Sequence, residues 1–350
     1  MNILYGIQGT GNGHVTRSTQ IIDCLQQKGA VVDVIFSGCG PDKIFDKQTI
    51  TSPGFYKGFT FSAEQGKIRL LHTALNLSVG QFIKDVWNFD AAPYDLVITD
   101  FEPVSAMVAR KNRLPSIGIG HQYAFCHAIP MDRATPFSRL IMNRFAPADL
   151  SIGLHWHHFD APILPPVIPD PIRRARRSGT DIKSKEHILV YLPFEHPDDI
   201  EALVRSFKDY QFVVYDGEAG RNRQNTDTIR WNPFSRSRFL TDLAQSSGVL
   251  CNAGFELPSE ALFLGKKLLV KPLEGQFEQA SNALALTMLG LGTTMTRLDP
   301  QILGEWLETD RSVTKEFNDT AGRLADWIIA GDFSDMDTLV SECWKTECLN

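Results

Sequence analysis

Short apolar runs alternate with helix-like segments along most of this chain, and this alternation restricts its fold more than any other feature. Runs such as Asn2–Ile7 and Val31–Phe36 have the length of buried strands. Between them, Val15–Lys28 carries apolar residues at helical spacing. Strands that are apolar on both faces and separated by helices belong to parallel sheets with helices on both sides. The sequence therefore predicts an α/β fold.

The alternation occurs twice. In the first half, three more strands are predicted at Leu96–Thr99, Ser116–Gly120 and Leu150–Leu154, with a helix at Val104–Lys111. In the second half, strands are predicted at Ile188–Leu192, Phe212–Tyr215, Gly248–Cys251 and Leu268–Lys271. The helices of that half are predicted at Asp198–Phe207, Arg236–Gln245, Leu257–Leu264 and Phe277–Leu289. Each half thus has the elements of one Rossmann-like domain.

A proline-rich segment separates the two halves. At 350 residues the chain suits two domains of about 150 residues each, and the prolines clustered between 162 and 171 mark residues 164–185 as a linker. We assign residues 1–163 and 186–313 to the two domains and residues 314–350 to a helical tail, which we expect to pack back on the N-terminal domain. A tail helix Thr314–Ala330 is predicted to end at Gly331, and Ser334 is predicted to cap a further helix.

Composition narrows the class of protein. A net charge of −6 provides no basic surplus for nucleic-acid phosphates, so we expect no nucleic-acid partner. The arginines of the linker (Arg173, Arg174, Arg176 and Arg177) form either a solvated face or a contact for anionic lipid or substrate phosphate. The six cysteines form no CxxC pair, and neither a signal-peptide pattern nor a run of 18 apolar residues is present. We therefore expect a cytoplasmic protein.

The first predicted strand runs into Gly9-Thr10-Gly11-Asn12-Gly13-His14 at the sheet edge where parallel folds bind ligands. Glycines allow close approach to the backbone, and a helix start beside them can hold an anion. The spacing is not a dinucleotide fingerprint, because the third glycine comes one position early, and no Lys-Ser/Thr completes a Walker loop. His14 is either a polar cap residue or a general base for a reacting hydroxyl.

The strongest motif is Asn252-Ala253-Gly254-Phe255-Glu256-Leu257-Pro258-Ser259-Glu260, where a strand ends and a helix begins. Pro258 is tolerated only in a first helical turn, so free backbone N–H groups near Gly254–Leu257 can face a diphosphate. Glu260 either accepts hydrogen bonds from both hydroxyls of a ribose or serves only as a helix-dipole partner. After the next strand, Gln276, Glu278 and Gln279 stand at another helix start, where polar groups can bind sugar hydroxyls.

These motifs together resemble the GT-B-fold glycosyltransferases, in particular the family 28-like group that includes the N-acetylglucosamine transferase of peptidoglycan lipid II synthesis and the galactolipid synthases. The matching positions in the second half are Gly254, Ser259-Glu260, Pro272, Gln279 and Asn282-Ala283. The loop Gly9–His14 matches that family's N-terminal glycine-rich loop. The likeness covers both halves and is greatest to a broadly distributed bacterial and archaeal group.

The resemblance implies a GT-B fold, with two Rossmann-like domains facing a central cleft. It places the donor's diphosphate on Asn252, Gly254, Phe255, Glu256 and Leu257, the ribose at Glu260, the sugar at Gln276, Glu278 and Gln279, and the uracil beside Phe234. His14 would face the acceptor or the leaving phosphate, with Gly9–Gly13 and His121 on the acceptor side. Glu278 stands where the family has Gln, and His121-Gln122-Tyr123 matches its counterpart only in part, so the donor sugar stays open.

Three further segments are open to more than one interpretation. Asp100 and Glu102 follow the strand Leu96–Thr99 and are expected to orient His14, to act as the base, or to cap the next helix. His155-Trp156-His157-His158 lacks an acid or cysteine at metal-binding spacing, so we assign no metal ligand and no cofactor. The stretch Ile68–Val86 is amphipathic and either docks a lipid-linked acceptor or packs in the core.

The expected activity is transfer of a hexose or N-acetylhexosamine from a UDP-linked donor to an unknown hydroxyl acceptor, with inversion and without a metal. The acceptor side leaves open a lipid-linked acceptor and a peripheral contact with the inner face of the cytoplasmic membrane. Two alternatives remain, because a fold alone does not fix the chemistry. One is a nucleotide-sugar 2-epimerase of the same fold, and the other is a non-catalytic nucleotide-sugar-binding protein.

Overall fold

The computed structural model describes residues 1–40, 50, 53–58, 63–64, 67–68, 79–178 and 187–345. The strands of its N-terminal part are β1 (Asn2–Gln8), β2 (Val31–Ser37), β3 (Gly54–Tyr56), β4 (Ala63–Glu64), β5 (Lys67–Ile68), β6 (Leu96–Asp100), β7 (Ser116–Gly120), β8 (Leu150–Leu154) and β9 (Ile163–Leu164). The helices there are Asn12–Gln27, Val79–Asn88, Pro103–Asn112, His121–Ala124, Pro136–Arg144 and Asp170–Arg177.

The N-terminal sheet is parallel, in the order β3-β2-β1-β6-β7-β8-β9, while β4 pairs antiparallel with β5. Its central strand β1 is buried on both faces. Ile3, Tyr5 and Ile7 belong to one core cluster, and Leu4 belongs to another on the opposite face. Burial on both faces is what near-continuous apolar strands require, because each face of a parallel sheet is covered by helices.

The C-terminal part repeats this arrangement. Its strands are β10 (Ile188–Tyr191), β11 (Phe212–Tyr215), β12 (Ile229–Asn232), β13 (Gly248–Asn252), β14 (Lys267–Lys271) and β15 (Thr293–Thr294). They form a parallel sheet in the order β12-β11-β10-β13-β14-β15. The helices are Pro197–Val204, Ala219–Asn222, Arg236–Gln245, Glu256–Phe263, Phe277–Met288, Pro300–Glu308, Thr320–Ala330 and Met336–Trp344. The two Rossmann-like parallel sheets predicted from the sequence are confirmed.

The segment 164–185 contains more structure than a linker needs. Leu164 is the last residue of β9, and Asp170–Arg177 is a helix that packs against the helix Arg236–Gln245. Two of its arginines, Arg173 and Arg176, stack on the ring of Phe263. These side chains therefore tie elements together rather than forming a solvated face. Residues 179–186 lie outside the described part of the chain.

The tail differs from its prediction at both helix starts. The first tail helix begins at Thr320 instead of Thr314, because Asp319 caps it by accepting from the Gly322 N–H at 3.0 Å. It ends at Gly331 as predicted, with φ of 75°. The second is capped by Asp335 and not by Ser334, since the Asp335 carboxylate accepts from the Thr338 N–H. The helix Thr320–Ala330 packs on Asn12–Gln27, so the tail lies on the N-terminal domain.

Candidate active site

Residues that follow the carboxyl ends of both sheets meet across the domain boundary. The Trp156 indole N–H donates to Ser259 Oγ at 2.8 Å, and Gln122 Nε2 donates to Glu278 Oε2 at 3.1 Å. His121 stacks on Phe255 with ring centroids 4.1 Å apart. The two domains therefore close over the region in which the sequence places the donor and the acceptor.

Three of the longer helices that begin at this boundary have no side-chain cap. They are Asn12–Gln27, Glu256–Phe263 and Phe277–Met288, and their N-cap residues are Gly11, Phe255 and Gln276. Helices elsewhere, such as Pro300–Glu308 and Met336–Trp344, are capped by aspartates. An uncapped start leaves backbone N–H groups free for an anion. The arrangement thus provides anion-binding groups where the diphosphate is expected.

His14 lies in the first turn of the helix Asn12–Gln27. The predicted helix began at Val15, and the structure corrects this start to Asn12. The His14 Nδ1 atom is 2.9 Å from Asp100 Oδ1. Asp100 is completely buried at the end of β6. Asp100 can therefore orient the ring of His14, which is one of the roles that the sequence allowed.

Arg17 is the central residue that sequence reasoning missed. Its side chain is 2% exposed and donates twice to Asp100, from Nε at 2.7 Å and from NH2 at 2.5 Å. Burial opposes its charge, but the carboxylates of Asp100 and Glu256 raise its pKa overall. One signal could have found it. Arg17 lies three residues after His14, on the same helical face, where a charge needs a buried partner.

The carboxylate of Asp100 is held ionised by its neighbours. Burial alone would raise its pKa, but the charges and hydrogen bonds of Arg17 and His14 bring the pKa below its ordinary value. Ser18 Oγ also donates to Asp100 Oδ2, at 2.8 Å. Asp100 thus carries a negative charge directly behind His14 at neutral pH.

Glu256 reaches across the boundary from the start of its helix. Its carboxylate accepts a hydrogen bond from Arg17 NH1 and forms an ion pair with it. A Cβ added at Gly13 would lie 2.5 Å from Glu256 Oε2, so a side chain there would displace this carboxylate from its present position. The sequence assigned Glu256 to donor binding through the backbone. In this conformation its side chain binds the opposite domain.

Glu260 has the environment of a ligand-binding carboxylate. It is 3% exposed, and in the described part of the chain its ion pair is with Arg236, at 3.8 Å. Burial raises its pKa to about 7, the Arg236 charge counteracts this and the Glu256 charge adds to it. A carboxylate with so few donors around it can accept the two hydroxyls of a diol.

The strand-to-helix turn before Glu256 is open at its centre. Asn252 is 8% exposed, and its Nδ2 donates to the Lys271 carbonyl at 3.0 Å. Its Oδ1 atom has no hydrogen-bond partner among the described residues. At Gly254 an added Cβ would meet nothing within 4 Å. Phe255 fills the boundary by stacking on His121, and Leu257 packs on the core beneath.

The helix Phe277–Met288 presents Gln276 and Glu278 toward the boundary. The Gln276 Oε1 atom is buried and finds no hydrogen-bond partner among the described residues, whereas Glu278 accepts from Gln122. Gln279 behaves differently, because its Oε1 accepts from the Leu273 N–H at 2.9 Å. The side-chain oxygen of Gln279 is thus used to hold the preceding loop.

His121 lies inside the domain interface. Its ring is fully buried, with Nδ1 2.8 Å from the Leu154 carbonyl and Nε2 2.6 Å from Asn282 Oδ1. Both ring nitrogens are engaged, so the expected contact with an acceptor is not available in this conformation. His121 joins the two domains instead.

Glu102 caps a helix, which is the other role that the sequence allowed. Its carboxylate accepts from the Val104 and Ser105 N–H groups, at 2.7 and 2.6 Å, and from the Ser37 hydroxyl. Burial raises its pKa, partly offset by these hydrogen bonds. With its oxygens taken by Pro103–Asn112 and β2, we leave Glu102 out of the catalytic group.

Phe234 follows β12 and packs beside two aromatic rings. Its centroid lies 6.0 Å from that of Tyr191 and 5.8 Å from that of Phe239. Burial raises the pKa of Tyr191, and a side-chain hydrogen bond with Asn12, across the domain boundary, partly offsets this. This aromatic cluster provides an apolar wall on the C-terminal domain, at the place where the sequence predicts the uracil.

The glycine-rich loop is shaped by close packing on one side and by open space on the other. The Gly9 N–H donates to the Ser37 carbonyl at 2.8 Å, and a Cβ at Gly9 would collide with Cys39. Thr10 and Gly11 are exposed, and a Cβ at Gly11 would meet nothing within 4 Å. The loop therefore offers its backbone to the outside at Thr10 and Gly11.

Two further polar side chains, Lys271 and His155, are buried. Lys271, which the sequence gave no role, forms an ion pair with Glu195 at 2.6 Å, and both side chains are at most 10% exposed. His155 is buried, and its Nδ1 accepts from the Trp156 N–H. Among the residues that the structure describes, no three His, Cys, Asp or Glu side chains lie close enough to share a metal ion.

Several solved glycosyltransferases share this fold. MurG of Acinetobacter baumannii is 16% identical over 87% of this chain and 89% of that chain, with a TM-score of 0.55. The calicheamicin glycosyltransferase CalG4 is 17% identical over 95% and 99%, with a TM-score of 0.59. The spinosyn rhamnosyltransferase SpnG complexed with thymidine diphosphate is 15% identical over 97% and 95%, with a TM-score of 0.54. No curated protein sequence matches the chain significantly.

The fold is thus that of a GT-B glycosyltransferase, in which two Rossmann-like domains meet at a boundary, here lined with uncapped helix starts. The chain belongs to the glycosyl transferase family 1, whose model matches residues 1–309. It is therefore an enzyme that transfers a sugar from a nucleotide-sugar donor. The resemblance inferred from the sequence motifs is confirmed. Among the described residues, no helix is both long enough and apolar enough to cross a membrane.

Proposed function

We propose that the enzyme transfers a hexose or N-acetylhexosamine from a UDP-linked donor to a hydroxyl acceptor, with inversion at the anomeric carbon. The observation that carries this proposal is the pair of His14 and Asp100 facing the uncapped start of the helix Glu256–Phe263. A base on one domain and an anion site on the other are what attack by a hydroxyl and departure of a diphosphate require.

The donor is proposed to bind to the C-terminal domain. The free N–H groups after Gly254 face its diphosphate, Glu260 accepts its ribose hydroxyls, and Phe234 packs on its base. Gln276 and Glu278 lie at the next helix start, within reach of the sugar. The helix starts and Arg17 supply positive charge for the leaving diphosphate, so the proposed reaction is independent of a metal.

In the proposed reaction, His14 Nε2 removes the proton of the acceptor hydroxyl. The oxygen then attacks the anomeric carbon from the face opposite the nucleoside diphosphate, and the bond to the diphosphate breaks. Asp100 orients His14 by accepting from Nδ1 and stabilises the imidazolium that forms. Domain closure excludes water from the donor, which favours transfer over hydrolysis.

A membrane-facing acceptor is supported by the helix Val79–Asn88, although residues 69–78 of the stretch singled out in the sequence lie outside the described part. Val79, Ile83 and Trp87 are 52%, 51% and 67% exposed, and their spacing places them along one helical face. The Lys111 ammonium lies 5.6 Å from the Trp87 ring. We propose that this face contacts the inner leaflet of the cytoplasmic membrane, where a lipid-linked acceptor would be presented.

Nucleotide binding tests the donor site. A thermal-shift panel of nucleoside diphosphates should show stabilisation by UDP, of about 2.7 kcal/mol at a hundredfold excess over Kd. Glu260→Ala should abolish the shift, whereas Glu308→Ala, at an exposed glutamate of another helix, should retain it. A panel without any shift would refute a nucleotide donor.

Turnover tests the catalytic group. With UDP-N-acetylglucosamine and a panel of hydroxyl acceptors, His14→Ala should lower kcat by about 10²- to 10⁴-fold. Wild-type turnover in that variant would remove His14 from its role. Formation of an epimer without any acceptor would instead identify a 2-epimerase, and binding without turnover would identify a non-catalytic protein.

A further inference from the structure

The Nδ1 atom of His14 has two neighbours that make opposite demands. Asp100 Oδ1, an ionised carboxylate oxygen, lies 2.9 Å away and can only accept a hydrogen bond. Arg17 NH2 lies 2.7 Å away and can only donate one. A ring nitrogen carries either a proton or a lone pair. Nδ1 therefore cannot satisfy both neighbours at once.

A count of hydrogen bonds favours the arginine. Without His14, Asp100 already accepts from Arg17 Nε, Arg17 NH2 and Ser18 Oγ. The NH2 group of Arg17 has two protons. One is used by Asp100 Oδ1, and the other has His14 Nδ1 at 2.7 Å and Gln122 Oε1 at 3.2 Å to choose from. Donation to Nδ1 is the shorter contact, and it gives Nδ1 a donor without removing one from Asp100.

We infer that Arg17 sets the position of the proton on His14. With Arg17 donating to Nδ1, neutral His14 carries its proton on Nε2, which is the wrong tautomer for a base that faces the cleft. When Arg17 moves away from Nδ1, Asp100 becomes the acceptor, the proton moves to Nδ1, and Nε2 becomes basic. Arg17 is thus a positioning residue that acts through His14.

Glu256 holds Arg17 in this arrangement. It pairs with Arg17 NH1 from the other domain, and it is the first residue of the helix whose start is the proposed diphosphate site. A diphosphate bound there would repel the Glu256 carboxylate and offer Arg17 a stronger partner. This part of the inference rests on the proposed function. It links donor binding to the appearance of a base, so that the base forms only once the donor is in place.

The tautomer can be measured without any substrate. In protein labelled with ¹⁵N-histidine, the His14 signal is assigned by its loss in His14→Gln, and its nitrogen shifts show which atom carries the proton. At pH 8 the wild type should carry it on Nε2, and Arg17→Met should move it to Nδ1. A proton on Nδ1 in the wild type, or the same state in both proteins, would overturn the inference.

Arg17→Lys and Glu256→Gln keep the test decisive if Arg17→Met does not fold. Lysine is a single point donor and cannot replace the fork that reaches Asp100 and His14 together, so Nδ1 should again become protonated. Glu256→Gln should raise the fraction of the Nδ1-protonated form, because Arg17 is released. An unchanged spectrum in both variants would refute the role of Arg17 and Glu256.

Addition of UDP to the wild type separates this inference from the proposed function. A shift of the His14 proton to Nδ1 on UDP binding supports the link to the donor, and UDP binding with an unchanged His14 signal refutes it. If the thermal-shift panel shows no nucleotide binding while Arg17→Met still moves the proton, the proposed donor site fails and the role of Arg17 stands. In turnover, Glu256→Gln should alter the pH dependence of kcat as well as KM, whereas loss of a mere structural contact would leave the pH profile in place.

Discussion

At the scale of single residues, the site contains a carboxylate, Glu260, whose negative charge is in an unfavourable environment. Glu260 is buried beside another carboxylate, Glu256, and its nearest cation Arg236 is 3.8 Å away. Such an environment disfavours the ionised form that a ribose would need. Binding a diol would supply the missing donors, so the free protein is less stable at this position than the complex.

Replacing Glu260 by glutamine should therefore stabilise the free protein at alkaline pH. Burial raises the pKa of Glu260 to about 7 from an ordinary 4.5. Between these values the folded protein keeps a proton that the unfolded chain releases, so stability falls as pH rises through this window. Above pH 7 the penalty is complete, at about 3 kcal/mol, and Glu260→Gln escapes it.

Urea unfolding at pH 4.5 and pH 8 measures this effect. The difference in the free energy of unfolding between Glu260→Gln and wild type should grow in favour of the variant as pH rises. Glu308→Gln, at an exposed position, serves as the matched control and should show no such growth. A variant that is equally destabilised at both pH values would contradict a buried, strained carboxylate.

The residues of the site differ in how far the sequence could predict them. His14, Asp100 and Glu260 follow strands or begin helices in motifs that can be read locally, and the structure places them at the domain boundary. Arg17 and Gln122 were not assigned, because they contact partners 239 and 156 residues away in the chain. For Arg17 the helical spacing after His14 was the one local signal. The ring nitrogens of His121 are occupied by Leu154 and Asn282, which no local pattern reveals. The cap made by Glu102 is local, and it was one of the roles that the sequence allowed.

At the scale of elements, the helix Val79–Asn88 is unusual in directing large apolar side chains outward. Val86 is buried and Phe82 packs on the core, while Trp87 is 67% exposed. An exposed stripe of this kind marks an interaction surface.

Trp87→Glu should weaken binding to vesicles that contain anionic lipid, because a charge replaces an apolar side chain at the membrane surface. Co-sedimentation with phosphatidylglycerol vesicles measures the bound fraction, which should fall at least severalfold. Met288→Glu is the matched control, since Met288 is 65% exposed but lies on the other domain. Equal binding by wild type and Trp87→Glu would count against this face as the membrane contact.

Among the elements, strands with a continuous apolar run and amphipathic helices were predictable from the sequence. Edge strands that are very short or interrupted by a charged residue were not. β7, β8, β11 and the helix Arg236–Gln245 have the bounds that their apolar patterns indicate. In β12 the exposed Arg230 interrupts the run of buried residues, and β15 has only two residues, so neither has a continuous apolar run that the sequence could show. Asp319 shows why the tail helix was misplaced, because a good cap outweighed the helical composition before it.

At the scale of the whole molecule, Gly13 lies where the two domains are in contact. Gly13 has Glu256 against it, and a methyl group there would lie 2.5 Å from the carboxylate. A side chain at this position would therefore displace the Glu256 carboxylate, which joins the two domains through Arg17.

Gly13→Ala should displace Glu256, weaken its ion pair with Arg17 and loosen the closed arrangement. We expect a lower melting temperature and a larger radius of gyration in small-angle scattering. In a double-mutant cycle with Glu256→Ala, the two changes should be non-additive by about 0.5–3 kcal/mol, because the second removes the clash made by the first. Gly11→Ala, where the added methyl group meets nothing within 4 Å, is the control. Strict additivity would mean that the domains do not meet here.

The fold of each domain followed from the sequence, but the relation between the domains did not. Parallel sheets arise from local alternation and from right-handed connections, which act within about 30 residues. The boundary is instead built from single contacts such as Trp156 with Ser259 and His121 with Asn282. Each of these joins residues over 100 positions apart, and no periodicity announces them.

The tail has a consequence for how the molecule can move. Because the helix Thr320–Ala330 packs on Asn12–Gln27, the backbone passes between the domains twice, once after β9 and once between Glu308 and Thr320. Two neighbouring connections between the domains allow one domain to rotate relative to the other about the line that joins the connections. They resist rotation of the domains about other axes. The Arg173 guanidinium, which donates to the carbonyls of Phe317 and Asn318, fastens one passage to the other. The two domains should therefore open by rotation about a hinge made of these two segments, and this rotation should separate His14 from Glu256.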